Sequence, residues 1–330
     1  MKFLIIRFSS IGDIVLTSPV VRCLREQTGA EIHFLTKRNF VPIVEENPHI
    51  SRVFSFEKNI SEVITDLKSM GYDAVIDLHN NLRSRRAMFE LGRPSRVFSK
   101  LNIEKWLLVN FKINRMPDVH IVDRYLETIR DFGAKNDSRG LDFFIPKKDE
   151  IPPGFLDNNL KTWEYVGFVL GATHATKRLS EDKMTDICSD LVENRKRKVV
   201  LLGGPAEREI GQNIAQKTGA INACGRLNLA QSACLVRDAG AVLTHDTGLM
   251  HIAAAFQKNI VSVWGSTVPV FGMTPYFGTG TGKNVCCEVE NLACRPCSKI
   301  GFDACPKGHF RCMNDQSVEK IVDILDKFLG

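Results

Sequence analysis

Residues 241–255 read AVLTHDTGLMHIAAA, and this stretch decides the fold. A short apolar run ends in polar residues and a helix-forming run begins at once, which is how a strand leads into a helix in a doubly wound α/β sheet. Asp246 and Thr247 are suited to cap that helix, and Gly248 leaves room for a ligand to approach the backbone. The N–H groups of the first helical turn suit a phosphate or diphosphate. Histidines on both sides of this turn favour a ligand site over an ordinary capped helix.

The same alternation of short apolar runs and amphipathic stretches fills both halves of the chain, which indicates parallel sheets covered by helices. Strands are predicted at residues 2–8, 31–36, 53–56, 74–78, 165–170, 198–202 and 259–264, with another ending at Thr244. A polar stretch with prolines, residues 147–159, is the best linker candidate. Because 330 residues suit two cores of about 150 residues each, we expect two Rossmann-like domains, residues 1–155 and 156–330.

The composition is that of a globular protein, with 44% hydrophobic and 25% charged residues. No run approaches the roughly 18 apolar residues that a membrane-spanning helix needs. Arg7 and Asp13 interrupt the apolar start of the chain, so the sequence predicts no signal peptide and a cytoplasmic protein. The fingerprint Gly-x-Gly-x-x-Gly does not follow the first strand of either half, and there is no Walker loop, which disfavours a nicotinamide dehydrogenase or a P-loop kinase.

The net charge of +6 is modest, but basic residues crowd one part of the first half. They are Arg83, Arg85, Arg86, Arg93, Arg96, Lys100 and Lys105. No nucleic-acid motif or stacking aromatics accompany them, so we expect no nucleic-acid partner. A solvated basic face, an anionic substrate and an anionic membrane surface are the three interpretations.

Five motifs, in order and at suitable spacing, make the chain resemble the bacterial heptosyltransferases of glycosyltransferase family 9 along nearly its whole length. They are residues 11–19 (IGDIVLTSP), Asp77-Leu78 with Arg83-Ser84, Lys177 after Thr173, residues 203–207 (GGPAE) and residues 246–251 (DTGLMH). The resemblance implies the GT-B architecture, in which two Rossmann-like doubly wound domains face each other across a cleft. It also implies that a final helix, here residues 317–328, packs back on the first domain.

The resemblance further implies an inverting transfer of heptose from ADP-heptose to a Kdo or heptose hydroxyl of the lipopolysaccharide inner core. Such enzymes need no metal ion or other cofactor for catalysis. The first domain would bind the acceptor and the second the nucleotide sugar. The acceptor would be an anionic lipopolysaccharide precursor, so we expect a protein in peripheral contact with the inner face of the inner membrane.

The site residues are carried over from the same motifs. The donor would be bound by Thr173, Lys177, Glu207, Leu227, Asp246, Thr247, Gly248 and His251. Lys177, the Thr173 hydroxyl and the helix starting at Gly248 would offset the negative charge that builds on the leaving diphosphate. Glu207 would lie near the ribose and Leu227 near the adenine. Ala172 stands where family members often carry another hydroxyl residue.

Asp13 would be the general base that takes the proton of the acceptor hydroxyl. A helix cap for residues 14–28 is the alternative role of this carboxylate. Arg83, His120 and Arg124 would bind the acceptor, since arginine suits its carboxylates and phosphates.

Ten cysteines in a cytoplasmic protein favour metal binding or core packing over disulfides. Cys294, Cys297, Cys305 and Cys312 are spaced Cys-x2-Cys-x7-Cys-x6-Cys in a turn-rich stretch, which matches a structural zinc or iron site. Reduced cysteines that pack a loop, and a pair oxidised on isolation, are the alternatives.

Two other classes of function stay open from the sequence. A sugar-nucleotide epimerase or hydrolase of GT-B fold would share the donor pocket and act without an acceptor. A non-catalytic sugar-nucleotide binding module would keep the helix-end phosphate site and would not need Asp13.

Overall fold

The computed structural model describes all 330 residues except the side chain of Pro153, and it divides into two α/β units. The first unit comprises residues 1–100, 119–144 and 278–280. The second comprises residues 101–118, 145–277 and 281–330. The stretch predicted as a linker, residues 147–159, therefore lies just inside the second unit, and residues 101–118 group with that unit rather than with their sequence neighbours.

The first 144 residues supply one parallel sheet. Its strands are β1 (Lys2–Ile6), β2 (Glu31–Lys37), β3 (Arg52–Phe56), β4 (Ala74–Asp77) and β5 (Ser95–Val97), in the spatial order β3-β2-β1-β4-β5. The helices of this stretch are α1 (Ile11–Val15), α2 (Ser18–Thr28), α3 (Ile64–Ser69), α4 (Leu82–Leu91), α5 (Asn102–Phe111) and α6 (Ile121–Leu126). The strand order reverses between β1 and β4, which is where ligands bind in open α/β sheets.

The second unit repeats the design with six parallel strands. They are β6 (Tyr165–Val169), β7 (Lys198–Leu202), β8 (Ile221–Asn222), β9 (Ala241–His245), β10 (Asn259–Trp264) and β11 (Asn284–Glu288), in the order β11-β10-β9-β6-β7-β8. Its further helices are α7 (Glu181–Ser189), α8 (Arg208–Thr218), α9 (Leu229–Asp238), α10 (Gly248–Ala255), α11 (Arg311–Asn314) and α12 (Val318–Leu329). Here the order reverses between β6 and β9, so those two strands flank the second switch point.

The central strands read as continuous apolar runs because both of their faces are covered. Every residue of β6 and β9 is buried. Val166, Phe168 and Leu243 belong to the core of the second unit, and Leu4 and Ile6 to that of the first. Burial on both faces is typical of parallel sheets, so the predicted α/β class is confirmed.

The helix predicted over residues 14–28 is two helices in the structure. α1 ends at Val15, and α2 begins at Ser18 with Pro19 in its first turn. Proline lacks an N–H group and is tolerated only at the start of a helix, so a new helix begins just before it.

The final helix packs within the second unit. The apolar side of α12, formed by Ile321, Val322 and Leu325, is buried in the core of the second unit. The helix packs on β9, β10 and α7 of that unit. This apolar stripe completes the core of the second unit. The expectation that residues 317–328 also pack back on the first domain stays a prediction.

None of the helices in the described part of the chain combines the length and the apolar character that crossing a bilayer requires.

Candidate active site

Side chains from three strand ends converge at the switch point of the second unit. Lys177, which follows β6, places its Nζ 2.6 Å from Oδ2 of Asp246, which follows β9. Thr267, which follows β10, donates its hydroxyl to the same oxygen at 3.1 Å. The Lys177 and Asp246 side chains are each 14% exposed. The structure thus brings together two residues predicted to bind the donor, as a half-buried ion pair.

The start of α10 lies beside this pair in sequence. Thr247 is its N-cap residue, in extended conformation, and the described Thr247 side chain makes no capping hydrogen bond to the first turn. The Thr247 hydroxyl instead lies 3.4 Å from that of Thr244. Asp246 bonds Lys177 and Thr267, so neither of the two predicted cap residues fills that role by a side-chain bond. The N–H groups of the first turn carry the partial positive charge that attracts an anion.

Glu207 reaches the end of β6 from the turn after β7. Its carboxylate accepts a hydrogen bond from the Gly204 N–H at 2.9 Å and lies 3.5 Å from the Arg178 guanidinium. A Cβ atom at Gly171 would come within 2.9 Å of the Glu207 carboxyl carbon. Glycine at position 171 therefore lets a carboxylate lie over the strand end, next to the Lys177 segment.

The other three residues predicted to bind the donor lie in different settings. Thr173 is exposed in the turn after β6, and Leu227 is half-buried just before α9. His251 is buried on α10. The donor roles of these three residues stay predictions.

His245, one of the two histidines that pointed to a ligand site, is a structural residue. It is fully buried, and its Nε2 accepts a hydrogen bond from the Leu179 N–H at 3.1 Å. Burial, together with the Arg178 charge, lowers the pKa of His245 to about 3. The ring is therefore neutral, and it holds the segment that follows Lys177.

Asp13 is the third residue of α1, at the switch point of the first unit. Its Oδ2 accepts hydrogen bonds from the Ser10 hydroxyl at 2.8 Å and from the Ser10 N–H at 3.3 Å. Ser10 is the N-cap residue, so the cap role considered for Asp13 is corrected to the partner role in a capping box.

Arg7, at the end of β1, holds the other oxygen of Asp13. Its Nη2 lies 2.7 Å from Asp13 Oδ1. Its remaining donors reach the Ser9 carbonyl at 2.8 Å, the Tyr125 hydroxyl at 3.0 Å and the Leu78 carbonyl. Burial alone would lower the pKa of Arg7, but Asp13 and Tyr125 raise it above its ordinary value. Arg7 is thus a buried, permanently charged bridge that orients Asp13.

The surroundings of Asp13 are strongly basic. Burial and the charges of Arg7 and Lys100 lower the pKa of His79 to about 3. Burial and Arg7 also lower the pKa of Lys100, against the opposing effect of Asp77 and Asp13. Because the cations Arg7 and Lys100 lie close enough to repel each other, an anion bound beside them is favoured.

The buried Asp77 shapes the loop that follows β4. Its carboxylate accepts hydrogen bonds from the His79 N–H and the Asn80 N–H, each at 2.8 Å, and from the Ser84 hydroxyl at 2.6 Å. These bonds fix the start of α4. The Asp-Leu and Arg-Ser motifs of the sequence therefore form one hydrogen-bonded unit.

The three predicted acceptor residues lie in the first unit in different settings. Arg83 is exposed, with its guanidinium 6.0 Å from the Phe8 ring centroid. His120 caps α6, because its Nδ1 accepts from the Val122 N–H at 3.2 Å. Arg124 is buried and donates to the Ser99 carbonyl at 3.1 Å. Arg83 is therefore the one of the three that is exposed to a ligand.

We call residues 294–312 the cysteine loop. The Cys297 thiol donates to the Cys294 carbonyl at 3.0 Å, and Cys294 Sγ lies 3.9 Å from the His309 ring. Cys312 is buried in the core of the second unit. Within the described residues, no group of three or more His, Cys, Asp or Glu side chains is placed to hold a metal ion. The metal site predicted for these four thiols stays a prediction.

Packing accounts for the order of the cysteine loop. The Arg295 side chain is 6% exposed and donates to the Gly265 carbonyl at 2.6 Å and to the Glu288 carboxylate at 2.9 Å. Lys112, at the end of α5, donates to the carbonyls of Cys294 at 3.2 Å and Pro296 at 2.7 Å. These bonds tie the loop to β10, β11 and α5.

The chain forms two parallel α/β sheets, and solved structures of GT-B glycosyltransferases match this fold over nearly the whole chain. The model of glycosyltransferase family 9 (heptosyltransferase) matches residues 60–303. The chain belongs to this family and is a glycosyltransferase.

Individual relatives cover most of the chain at low identity. Lipopolysaccharide heptosyltransferase 1 of Pseudomonas aeruginosa is 25% identical over 324 residues, covering 91% of this chain and 86% of the relative. The family 9 glycosyltransferase of Veillonella parvula has a TM-score of 0.78 at 20% identity, covering 99% of this chain and 97% of that one. The Escherichia coli heptosyltransferase WaaC, solved with ADP, has a TM-score of 0.70 at 20% identity, covering 99% and 100%.

Proposed function

We propose that the protein transfers heptose from ADP-heptose to a sugar hydroxyl of the lipopolysaccharide inner core, at the inner face of the inner membrane. The observation that carries this proposal is the Lys177–Asp246 pair beside the N-terminus of α10, at the second switch point. The names of the relatives support the sugar and the acceptor, and the ADP bound to the E. coli enzyme supports the nucleotide.

The donor diphosphate is the group that the second unit is built to hold. When the bond between the heptose anomeric carbon and the diphosphate breaks, negative charge builds on the departing ADP. The Lys177 ammonium and the N–H groups of the first turn of α10 offset that charge. Asp246 keeps Lys177 in place before the donor arrives, and Glu207 is positioned for a ribose hydroxyl.

Asp13 acts as the general base. The acceptor oxygen attacks the anomeric carbon from the side opposite the diphosphate, and its proton passes to the Asp13 carboxylate as the new bond forms. A single displacement of this kind inverts the anomeric centre. Arg7 and Ser10 orient the carboxylate, since one donates from a cation and the other from a hydroxyl.

The transfer proceeds without a metal ion in this proposal. The chain itself supplies the positive charge that the diphosphate needs, from Lys177 and from the end of α10. Arg83 and the basic groups around Asp13 take the carboxylates of the acceptor sugar.

The proposal is tested by incubating the purified protein with ADP-heptose, UDP-sugars and GDP-sugars, each with and without a delipidated Kdo acceptor. We expect an inverted heptosyl product from ADP-heptose only, dependent on acceptor and unaffected by EDTA. Donor conversion that needs no acceptor would favour the epimerase or hydrolase class instead. Donor binding without any conversion would favour the binding module.

A further inference from the structure

Helix α4 carries the two most exposed large apolar side chains in the described part of the chain. Leu82 is 86% exposed and Phe89 is 88% exposed. They are seven residues apart, so they lie on the same side of the helix, two turns from each other. The opposite side, with Ser84, Ala87 and Leu91, is buried against the first unit. The helix is thus fixed on one side and presents an apolar stripe on the other.

Arginines surround this stripe. Arg85 and Arg86 lie three and four residues after Leu82, on the same exposed side, and Arg93 follows directly after the helix. Between residues 82 and 93 there are four arginines and one acidic residue, Glu90, which pairs with Arg86 at 2.7 Å. The exposed side of α4 therefore combines large apolar groups with a surplus of positive charge.

We propose that this side of α4, which we call the α4 face and define as Leu82, Arg85, Arg86, Phe89 and Arg93, docks on an anionic lipid surface. Apolar side chains that enter the boundary between headgroups and acyl chains, flanked by basic ones, are the features of helices that lie on membranes. Arginine forks bind lipid phosphates, and each basic residue near an anionic leaflet adds to the attraction.

Charge complementarity favours a lipid leaflet over a soluble protein as the partner of the α4 face. A soluble protein partner would bury Leu82 and Phe89, but it would have to supply several carboxylates in a ring around an apolar patch. A leaflet offers both kinds of contact everywhere on its surface. The inference rests on the proposed function in that the acceptor is itself a lipid. The variants described below leave Asp13, Arg83 and Lys177 in place.

The test measures sedimentation of the protein with vesicles of phosphatidylcholine and phosphatidylglycerol at 3:1, and with vesicles of phosphatidylcholine alone. The wild type is expected to bind the anionic vesicles at least tenfold more tightly. The double variant Leu82→Ser with Phe89→Ser should lose at least tenfold in binding. The variant Arg86→Gln with Arg93→Gln should lose about fivefold for each charge at low salt.

A matched control removes two exposed apolar side chains elsewhere, Phe155→Ser with Ile300→Ser, and should bind like the wild type. These residues are 57% and 64% exposed and lie in the second unit. Thermal melting confirms that each variant is folded. Binding that survives the loss of Leu82 and Phe89, or that is equal on neutral vesicles, overturns the inference.

Two further readouts separate this inference from its alternatives. Transfer to a delipidated, water-soluble acceptor should be unchanged in every variant, because the α4 face takes no part in the chemistry. If the wild type makes no product from that acceptor, the proposed function fails while the vesicle result still stands. If Leu82→Ser with Phe89→Ser dissociates an oligomer in sedimentation velocity and leaves vesicle binding intact, the α4 face binds a second copy and the lipid assignment is wrong.

Discussion

Replacing Lys177 by alanine is the perturbation whose consequences the structure specifies best. In the free protein, the change removes the Lys177 ammonium from Asp246, whose side chain is only 14% exposed, and leaves the Thr267 hydroxyl to donate to that carboxylate. In the ADP complex, it removes one charge-assisted hydrogen bond to the diphosphate and leaves a carboxylate facing a polyanion. Both effects weaken ADP binding.

The size of the loss can be bounded. A hydrogen bond to a charged group contributes on the order of 1.5–3 kcal/mol, which corresponds to a Kd about 10- to 150-fold higher. Repulsion from Asp246 adds to this loss. The double variant Lys177→Ala with Asp246→Asn should therefore recover part of the affinity, since the unpaired charge is gone.

The assay is titration calorimetry with ADP, accompanied by thermal melting. Lys217→Ala, on the exposed side of α8, is the matched control and should bind ADP normally. An unchanged Kd in Lys177→Ala would refute the assignment of Lys177 to the diphosphate. A double variant that binds no better than Lys177→Ala would refute the role given to Asp246.

Three further predictions concern Arg7, the pH response and the cysteine loop. Replacing Arg7 by methionine removes the guanidinium that holds Oδ1 of Asp13 at 2.7 Å, so kcat should fall while the Kd for ADP-heptose stays the same; an unchanged kcat in a folded variant would remove Arg7 from the mechanism. His245 resists protonation down to a pKa of about 3, whereas in the unfolded chain it accepts a proton near pH 6.5, so it makes the protein less stable as the pH falls through that window, by up to about 1.4 kcal/mol per pH unit. A folded His245→Gln variant should then lose stability less steeply between pH 6.5 and 4 in urea unfolding, and an equal slope would contradict the account. Elemental analysis of protein purified without chelators tests the structural metal site predicted for the cysteine loop: four thiolate ligands should hold about one equivalent of zinc or iron that Cys297→Ser removes while ADP binding survives, and less than about a tenth of an equivalent would eliminate the site.

The sequence was sufficient for the α/β class and for the charged residues of the second switch point. Lys177 and Asp246 are 69 residues apart, but each follows an apolar strand, and parallel strands end at the same edge of a sheet. Strand periodicity therefore predicts that they meet. The family motifs added roles that spacing alone cannot give, such as that of Asp13.

Hydrophobic periodicity could not predict the short strands and the edge strand. β5 has three residues and β8 has two, and neither is an apolar run long enough to be recognised. β11 carries polar residues at both ends because it lies at the edge of its sheet. These strands form because a neighbouring strand offers a ladder of hydrogen bonds, which is a tertiary effect.

Arg7 is the functional residue that sequence reasoning missed. It interrupts the apolar start of the chain, and it was interpreted only as evidence against a signal peptide. A charged residue at the end of an otherwise buried strand is a signal of a buried ion pair. Its partners Asp13 and Tyr125 could not be read from the sequence, since Tyr125 is 118 residues away.

The unit to which α5 belongs could not be predicted from the sequence either. Residues 101–118 lie in the first half of the chain, but they group with the second unit, where Lys112 donates to the Pro296 carbonyl at 2.7 Å. The contacts that place α5 in the second unit join residues far apart in the sequence, so no local sequence pattern predicts them.

The most direct test of the account is the donor affinity and the turnover of Asp13→Asn, measured side by side with ADP-heptose and a delipidated Kdo acceptor. The account predicts that ADP-heptose binds with unchanged Kd while turnover falls about 10²- to 10⁴-fold, as expected for the loss of a general base. Ser10→Ala, which removes one hydrogen bond to the same carboxylate, is the control and should keep most of the activity. An Asp13→Asn variant that turns over within a few-fold of the wild type at saturating substrate would contradict the account, because Asp13 would then serve only the capping box of α1.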